Sequence, residues 1–119
     1  MSNRSMLVGD RVSINGRELS PMRATFDENT SATHEVVAAV AGKKLRVVSA
    51  LLGSAGSNTA IWKSDSTVIS PAFPLSADSG YVLPEAPVLG HFETAAGEPL
   101  QLELTAAERV AGHLTYLVI

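Results

Sequence analysis

Three histidines, His34, His91 and His113, are the first residues in this sequence that could carry chemistry. All three lie in predicted strands, so the fold could bring them together, and three imidazoles would suit zinc. No two of them have a ligand spacing such as His-x-His, so histidines at the surface or at an interface are the favoured interpretation. A trimer axis could also gather three copies of one histidine, which the sequence leaves open. We expect no metal and no cofactor within the chain.

Four glutamates recur every five residues, at Glu93, Glu98, Glu103 and Glu108. A pair of carboxylates could serve glycoside hydrolysis. A spacing of five places successive members on opposite faces of a strand, so solvated, outward-facing acids are the favoured interpretation. The sequence has no Gly-x-Ser-x-Gly elbow, no Gly-x-x-x-x-Gly-Lys loop and no cysteine. We therefore expect that the protein is not an enzyme.

Two aromatic residues, Trp62 and Tyr81, are the candidates for ligand binding. They could form a sugar platform on one face of a β-sandwich. The chain has only one tryptophan and two tyrosines, however, which makes such a platform thin. A place in the core or at a subunit interface is the simpler interpretation for an aromatic side chain with a polar group.

Charge is distributed unevenly along the chain. Residues 1–23 carry four arginines and two acids, whereas residues 24–119 carry five basic and ten acidic residues. This distribution predicts a basic N-terminal arm on an acidic body. The arginines are too few and too dispersed for a nucleic-acid site, and no apolar run has the length of a membrane span. We expect the arm to bind a neighbouring protein through these residues: Arg4, Met6, Leu7, Val8, Arg11 and Arg17.

The remaining residues predict strands. Residues 34–52 contain two apolar runs on either side of a turn at 41–44, which predicts a central hairpin covered on both faces. Leu100, Leu102 and Leu104 alternate with polar residues, as in a half-buried strand. Eight or nine short strands with frequent turn signals predict an all-β protein.

The predicted fold is an antiparallel β-sandwich, jelly-roll-like, formed by residues 22–119. Residues 1–21 form an extended N-terminal arm with a small hairpin at Asn15-Gly16. The predicted core consists of Val47, Leu51, Ile61, Phe92, Leu102, Leu104 and Leu114. Apolar pairs such as Val47/Val48 and Leu51/Leu52 would fill both faces of a strand, and the surplus predicts subunit contacts, most simply in a homotrimer.

Three segments carry a resemblance to a known group of proteins: GKKLRVVSALLGSAG at 42–56, GHFETAAGEPLQLELTAA at 90–107 and VAGHLTYLVI at 110–119. They resemble short jelly-roll structural proteins of tailed bacteriophages. The resemblance implies a trimeric, non-enzymatic virion component, made in the host cytoplasm, that decorates the capsid, forms a head fibre or sits on the tail. A trimeric capsid decoration (cement) protein is the function we expect. A carbohydrate- or receptor-binding module of a tail or head fibre is the alternative.

Overall fold

The computed structural model describes residues 12–14 and 16–119. These residues form twelve β-strands and contain no helix. None of them belongs to a helix long and apolar enough to cross a membrane. The strands are β1 (Val12–Ile14), β2 (Arg17–Leu19), β3 (Met22–Glu28), β4 (Thr33–Val37), β5 (Leu45–Ser54), β6 (Asn58–Ser64), β7 (Thr67–Val68), β8 (Phe73–Leu75), β9 (Ser79–Leu83), β10 (Phe92–Glu93), β11 (Leu100–Leu104) and β12 (Val110–Val118).

Two antiparallel sheets pack face to face, which confirms the predicted β-sandwich. The first sheet has the order β3-β12-β5, with β9 and β10 both paired to the far edge of β5. The second sheet has the order β4-β11-β6, with β7 and β8 both paired to β6. The chain passes from sheet to sheet, and strands from its two ends become neighbours. This is the jelly-roll arrangement of two interlocked Greek keys.

Residues 34–52 do not form the predicted central hairpin. The tight turn is present, since Gly42 has a φ of +71° and the Lys43 N–H donates to the Val40 carbonyl at 3.0 Å. However, β4 pairs with β11 in the second sheet, whereas β5 pairs with β12 in the first. Residues 38–44 therefore cross between the sheets. The prediction was wrong because turn chemistry does not determine which distant strand each arm will join.

A β-bulge in β5 explains its run of consecutive apolar residues. Val47 and Ser49 lie opposite adjacent residues of β12, which leaves Val48 as the extra residue. The bulge changes which positions face inward: Val47 is buried before it, and Leu52 is buried after it. Leu51, predicted to be in the core, therefore points outward and is 44% exposed.

The core lies between the two sheets and is centred on Trp62. The indole ring stacks on Phe92 at a centroid distance of 5.6 Å and meets Phe26 edge-on at 5.5 Å. Burial of these apolar side chains is the main stabilising contribution. The other fully buried members, each at most 1% exposed, are Leu45, Val47, Ala60, Leu100, Leu102, Leu104, Val110 and Leu114.

The predicted core is confirmed at Val47 and at the three leucines of β11 and β12, which are Leu102, Leu104 and Leu114. Phe92 is partly buried and packs against the core. Ile61 does not belong to the core. It lies on the outer side of β6, opposite Glu103, because its neighbour Trp62 takes the inward position.

The described part of the N-terminal arm contains a small hairpin. β1 and β2 form a separate two-stranded sheet in which Ile14 lies opposite Arg17, and Gly16 turns the chain with a φ of +78°. Five of the residues expected to contact a partner lie outside the described residues: Arg4, Met6, Leu7, Val8 and Arg11. Of that set, Arg17 is described, and it is exposed.

Candidate functional site

The outer face of the first sheet carries a continuous row of uncharged and weakly polar side chains. The strand register aligns Val82 of β9, Leu51 of β5, His113 of β12 and Thr25 of β3 in one line across four strands. Val82 is 63% exposed and Leu51 is 44% exposed. Two aliphatic side chains thus lie next to each other on a sheet surface that faces away from the core.

The rows on either side of this line are also small and uncharged. We call the whole surface the neutral face, and it consists of Ser49, Leu51, Gly53, Val82, Ala111, His113, Thr115 and Thr25. Charged residues border this face: Arg23 and Asp27 lie at its β3 edge, and Asp78 and Arg109 line a pocket together with Gly53 and Ala111. Asp27 accepts two hydrogen bonds from Arg109, at 2.9 and 2.8 Å, and these hold the pKa of its carboxyl below the ordinary value.

His113 lies at the centre of the neutral face. Its Nδ1 atom is buried and has no hydrogen-bond partner among the described residues. A buried polar atom without a partner costs free energy, so a group that could bond to it would stabilise the protein. His113 thus carries a buried polar atom that the described residues leave without a partner.

The outer face of the second sheet is different. Lys63 of β6 pairs with Glu103 of β11 at 2.8 Å. Gln101 lies between Lys63 and Glu35 of β4 in the strand register. We call this surface the charged face, and it consists of Thr33, Glu35, Ile61, Lys63, Gln101 and Glu103. Its ion pair and polar groups are those of a solvated sheet surface.

Trp62 and Tyr81 do not form a ligand platform. Trp62 has no exposed surface, and Tyr81 is half-buried with its ring 4.5 Å from that of Phe73. The Trp62 Nε1 and the Tyr81 hydroxyl are both buried, and neither forms a hydrogen bond of normal geometry within the described chain. Burial raises the pKa of Tyr81 to about 12, while the nearby Trp62 N–H has a smaller, opposite effect.

The three histidines remain apart. The Nδ1 atom of His34 lies 3.2 Å from Glu28, and the ring of His91 bonds to the carbonyl of Pro84. His113 lies on the neutral face. No group of three or more metal-binding side chains occurs in the part of the chain that the structure describes. A cluster of copies at a symmetry axis stays a prediction.

The glutamates also have separate partners. Glu93 lies 2.9 Å from Arg46 and 3.6 Å from Lys44. Glu98 accepts a hydrogen bond from the Ser64 hydroxyl, and Glu103 pairs with Lys63 on the charged face. The five-residue repeat thus distributes these carboxylates over different strands and loops instead of pairing them.

Of the six arm residues expected to bind a partner, Arg17 is the one that the structure describes, and it lines a cavity between β2 and the first sheet. Lys44 and Arg46 line the same cavity, although the sequence analysis did not select them. The alternation of Lys44, buried Leu45 and Arg46 was the available signal, because it places both cations on one side of the strand.

Comparison with known proteins gave no match: no protein-family model, no curated protein and no solved structure is significantly similar to the chain. The function is therefore inferred from the geometry of the neutral face and of the cavity.

Proposed function

We propose that this protein is a structural component of a tailed-bacteriophage particle, namely a trimeric capsid decoration (cement) protein. The observation that carries the proposal is the neutral face, which places exposed Leu51 and Val82 side by side on a jelly-roll sheet. The resemblance of residues 42–56, 90–107 and 110–119 to phage virion proteins supports the same assignment. The proposed location is the virion, reached after synthesis in the host cytoplasm.

In the proposed trimer, the neutral face of one subunit contacts a different surface of the next, as closed three-fold rings require. Val88 and Leu89 are the partner surface that we propose, because they are 63% and 84% exposed in the segment that follows β9. Contact would remove Leu51 and Val82 from water and so gain hydrophobic free energy. The arm would then remain available to contact the capsid through Arg4, Met6, Leu7, Val8, Arg11 and Arg17.

The sharpest test of the subunit contact is a charge placed on the neutral face. The variant Leu51→Glu should convert a trimer into monomers, because a carboxylate would have to be desolvated in the contact. Sedimentation velocity at micromolar concentration measures the change. Gln101→Glu adds the same charge to the charged face and should leave the trimer intact. A monomeric wild-type protein, or equal dissociation of both variants, would contradict the proposal.

The particle itself tests the larger claim. Electron microscopy of phage particles labelled through this protein should show regular labelling of the capsid. Labelling confined to the tail, or absent from purified particles, would overturn the decoration role. Deleting residues 1–21 tests the arm: the truncated protein should keep its oligomer but fail to join the particle. Incorporation at wild-type occupancy would show that the arm is not the anchor.

The alternative of a carbohydrate- or receptor-binding module is not favoured. It depended on Trp62 and Tyr81 forming an exposed platform, and Trp62 is fully buried in the core. A half-buried Tyr81 alone does not provide the stacking surface that a sugar ring requires.

A further inference from the structure

A cavity of about 310 Å³ lies between the small hairpin and the first sheet. Its lining combines cationic, apolar and small side chains, which are Arg17, Leu19, Gly42, Lys44, Arg46, Ala96 and Ile119. Three of these residues are cations, in a protein with a net charge of −3. Neither the subunit contact nor the core accounts for this concentration of positive charge.

Among the described residues, the cations of the cavity outnumber the carboxylates that pair with them. Glu93 is the ion-pair partner of both Arg46, at 2.9 Å, and Lys44, at 3.6 Å, within the described residues. Two cations therefore share one carboxylate, and Arg17 adds a third positive charge. A positive charge remains in excess even if Ile119 carries a free carboxylate. Such an excess favours the entry of an anion.

Contacts within the chain hold the Arg46 side chain and the backbone of Lys44 in place. Lys44 and Ile119 exchange two backbone hydrogen bonds, each of 2.9 Å. The stem of Arg46 packs against Gly90, where an added Cβ would lie 2.5 Å from the arginine Cγ. The guanidinium is fixed further by Glu93. The preorganised Arg46 side chain should lose little conformational entropy on binding.

The apolar part of the lining restricts the ligand. Leu19 and Ile119 lie beside the cations, so the site matches an anionic group that is followed by an aliphatic one. The planar arginine group pairs well with a carboxylate. A nucleic acid would instead require a longer basic track along its phosphates. An acidic polypeptide segment has the matching chemistry.

We propose that this cavity binds an acidic segment of a partner protein. A Glu or Asp carboxylate lies among Arg17, Lys44 and Arg46, and an adjacent aliphatic side chain packs on Leu19 and Ile119. The site is formed within one chain and does not require the proposed trimer. Its failure would therefore leave the proposed subunit contact untouched, and failure of the trimer would leave this site intact.

The test is a nuclear magnetic resonance titration of the full, isotope-labelled chain with an acetylated Leu-Glu-Leu-Glu peptide. We expect the amide signals of Arg17, Lys44 and Arg46 to shift together. The Leu-Gln-Leu-Gln peptide should not produce these shifts. Raising the salt concentration should weaken binding, since partly exposed charges are screened over about 10 Å at 0.1 M.

Matched variants separate the site from general charge attraction. The double variant Arg17→Gln/Lys44→Gln should bind the acidic peptide about tenfold more weakly. The control Arg23→Gln/Lys63→Gln removes two cations from other surfaces and should bind as wild type does. Thermal unfolding checks that both variants fold.

Three results would overturn the proposal. The first is no shift with the acidic peptide. The second is equal loss of binding in both double variants, because attraction by net charge would then explain the result. The third is preferential binding of a single-stranded oligonucleotide, which would make the cavity a phosphate site.

Discussion

The two outer faces of this sandwich share one architecture but differ in chemistry. On the charged face, Lys63 and Glu103 form a 2.8 Å ion pair between neighbouring strands. On the neutral face, the equivalent central positions are Leu51 and His113, with Val82 beside them. A sheet needs a polar outer surface only where that surface remains in water. In the proposed trimer, only the charged face would remain in water.

The largest expected effect is on stability, and it comes from the core that lies between the two sheets. Leu102 has no exposed surface, so Leu102→Ala should reduce the free energy of unfolding by about 2–5 kcal/mol. Gln101→Ala, one position away and outward, removes the hydrogen bond that Gln101 accepts from the Ser66 N–H and should cost about 0.5–1.5 kcal/mol. Urea unfolding measures both. A loss below about 1 kcal/mol for Leu102→Ala would show that Leu102 contributes less to stability than its burial implies.

A second, smaller effect on stability depends on pH and concerns Tyr81, on the inner side of the first sheet. Burial raises the pKa of the Tyr81 phenol to about 12, above its ordinary value of 10.0. The folded state thus holds this proton more tightly than the unfolded state does. Its contribution to stability is complete below pH 10 and is lost as the pH rises towards 12.

The variant Tyr81→Phe isolates that contribution. Its unfolding midpoint should fall less between pH 10 and 12 than that of the wild type, as measured by denaturant titration. Near pH 7 the variant should be as stable as the wild type or more stable, because the removed hydroxyl has no normal hydrogen bond among the described residues. Parallel pH curves for the two proteins would show that Tyr81 is not the titrating group.

The smallest effect tests the charged face directly. A double-mutant cycle on Lys63→Ala and Glu103→Ala should give a coupling of about 0.2–1 kcal/mol, as expected for a partly exposed ion pair. The coupling should shrink in about 1 M salt, where the screening length is about 3 Å. A coupling that does not respond to salt would indicate that the charged face is itself covered.

Short-range patterns in the sequence predicted the strands well. The alternation at Leu100, Leu102 and Leu104 gives strand β11 with its leucines inward, and Gly16 of the predicted turn lies between β1 and β2 with a positive φ. Both signals act over a few residues, because side-chain alternation and turn geometry are local properties. For the same reason the all-β class and the sandwich followed from the sequence.

Long-range pairing was the part that the sequence did not reveal. The runs around Gly42 predicted a hairpin, but each arm joins a different sheet. The bulge at Val48 moved Leu51 from the core to the surface, because one extra residue exchanges the two faces of a strand. Trp62 and Ile61 were exchanged in a similar way, since alternation alone does not show which face is inner.

The candidate sites were harder to predict than the strands. Arg17 was selected as part of a basic arm, whereas Lys44 and Arg46 lie in residues assigned to the central hairpin. The cavity exists because β2 lies close to β5, and no local sequence pattern predicts that two such strands will lie close together. The neutral face is likewise a product of register across β9, β5, β12 and β3.

The position of β12 between β3 and β5 determines when the protein can fold. Met22 pairs with Tyr116, so one of the earliest strands to leave the ribosome must wait for one of the latest. Until β12 emerges, β3 and β5 are unpaired edges that can associate with other chains. Folding is therefore expected to follow synthesis and to be slow for the chain length, because such distant contacts must close a large loop. Unpaired strands could associate with chains being made on neighbouring ribosomes. Rapid completion of the first sheet would prevent this association.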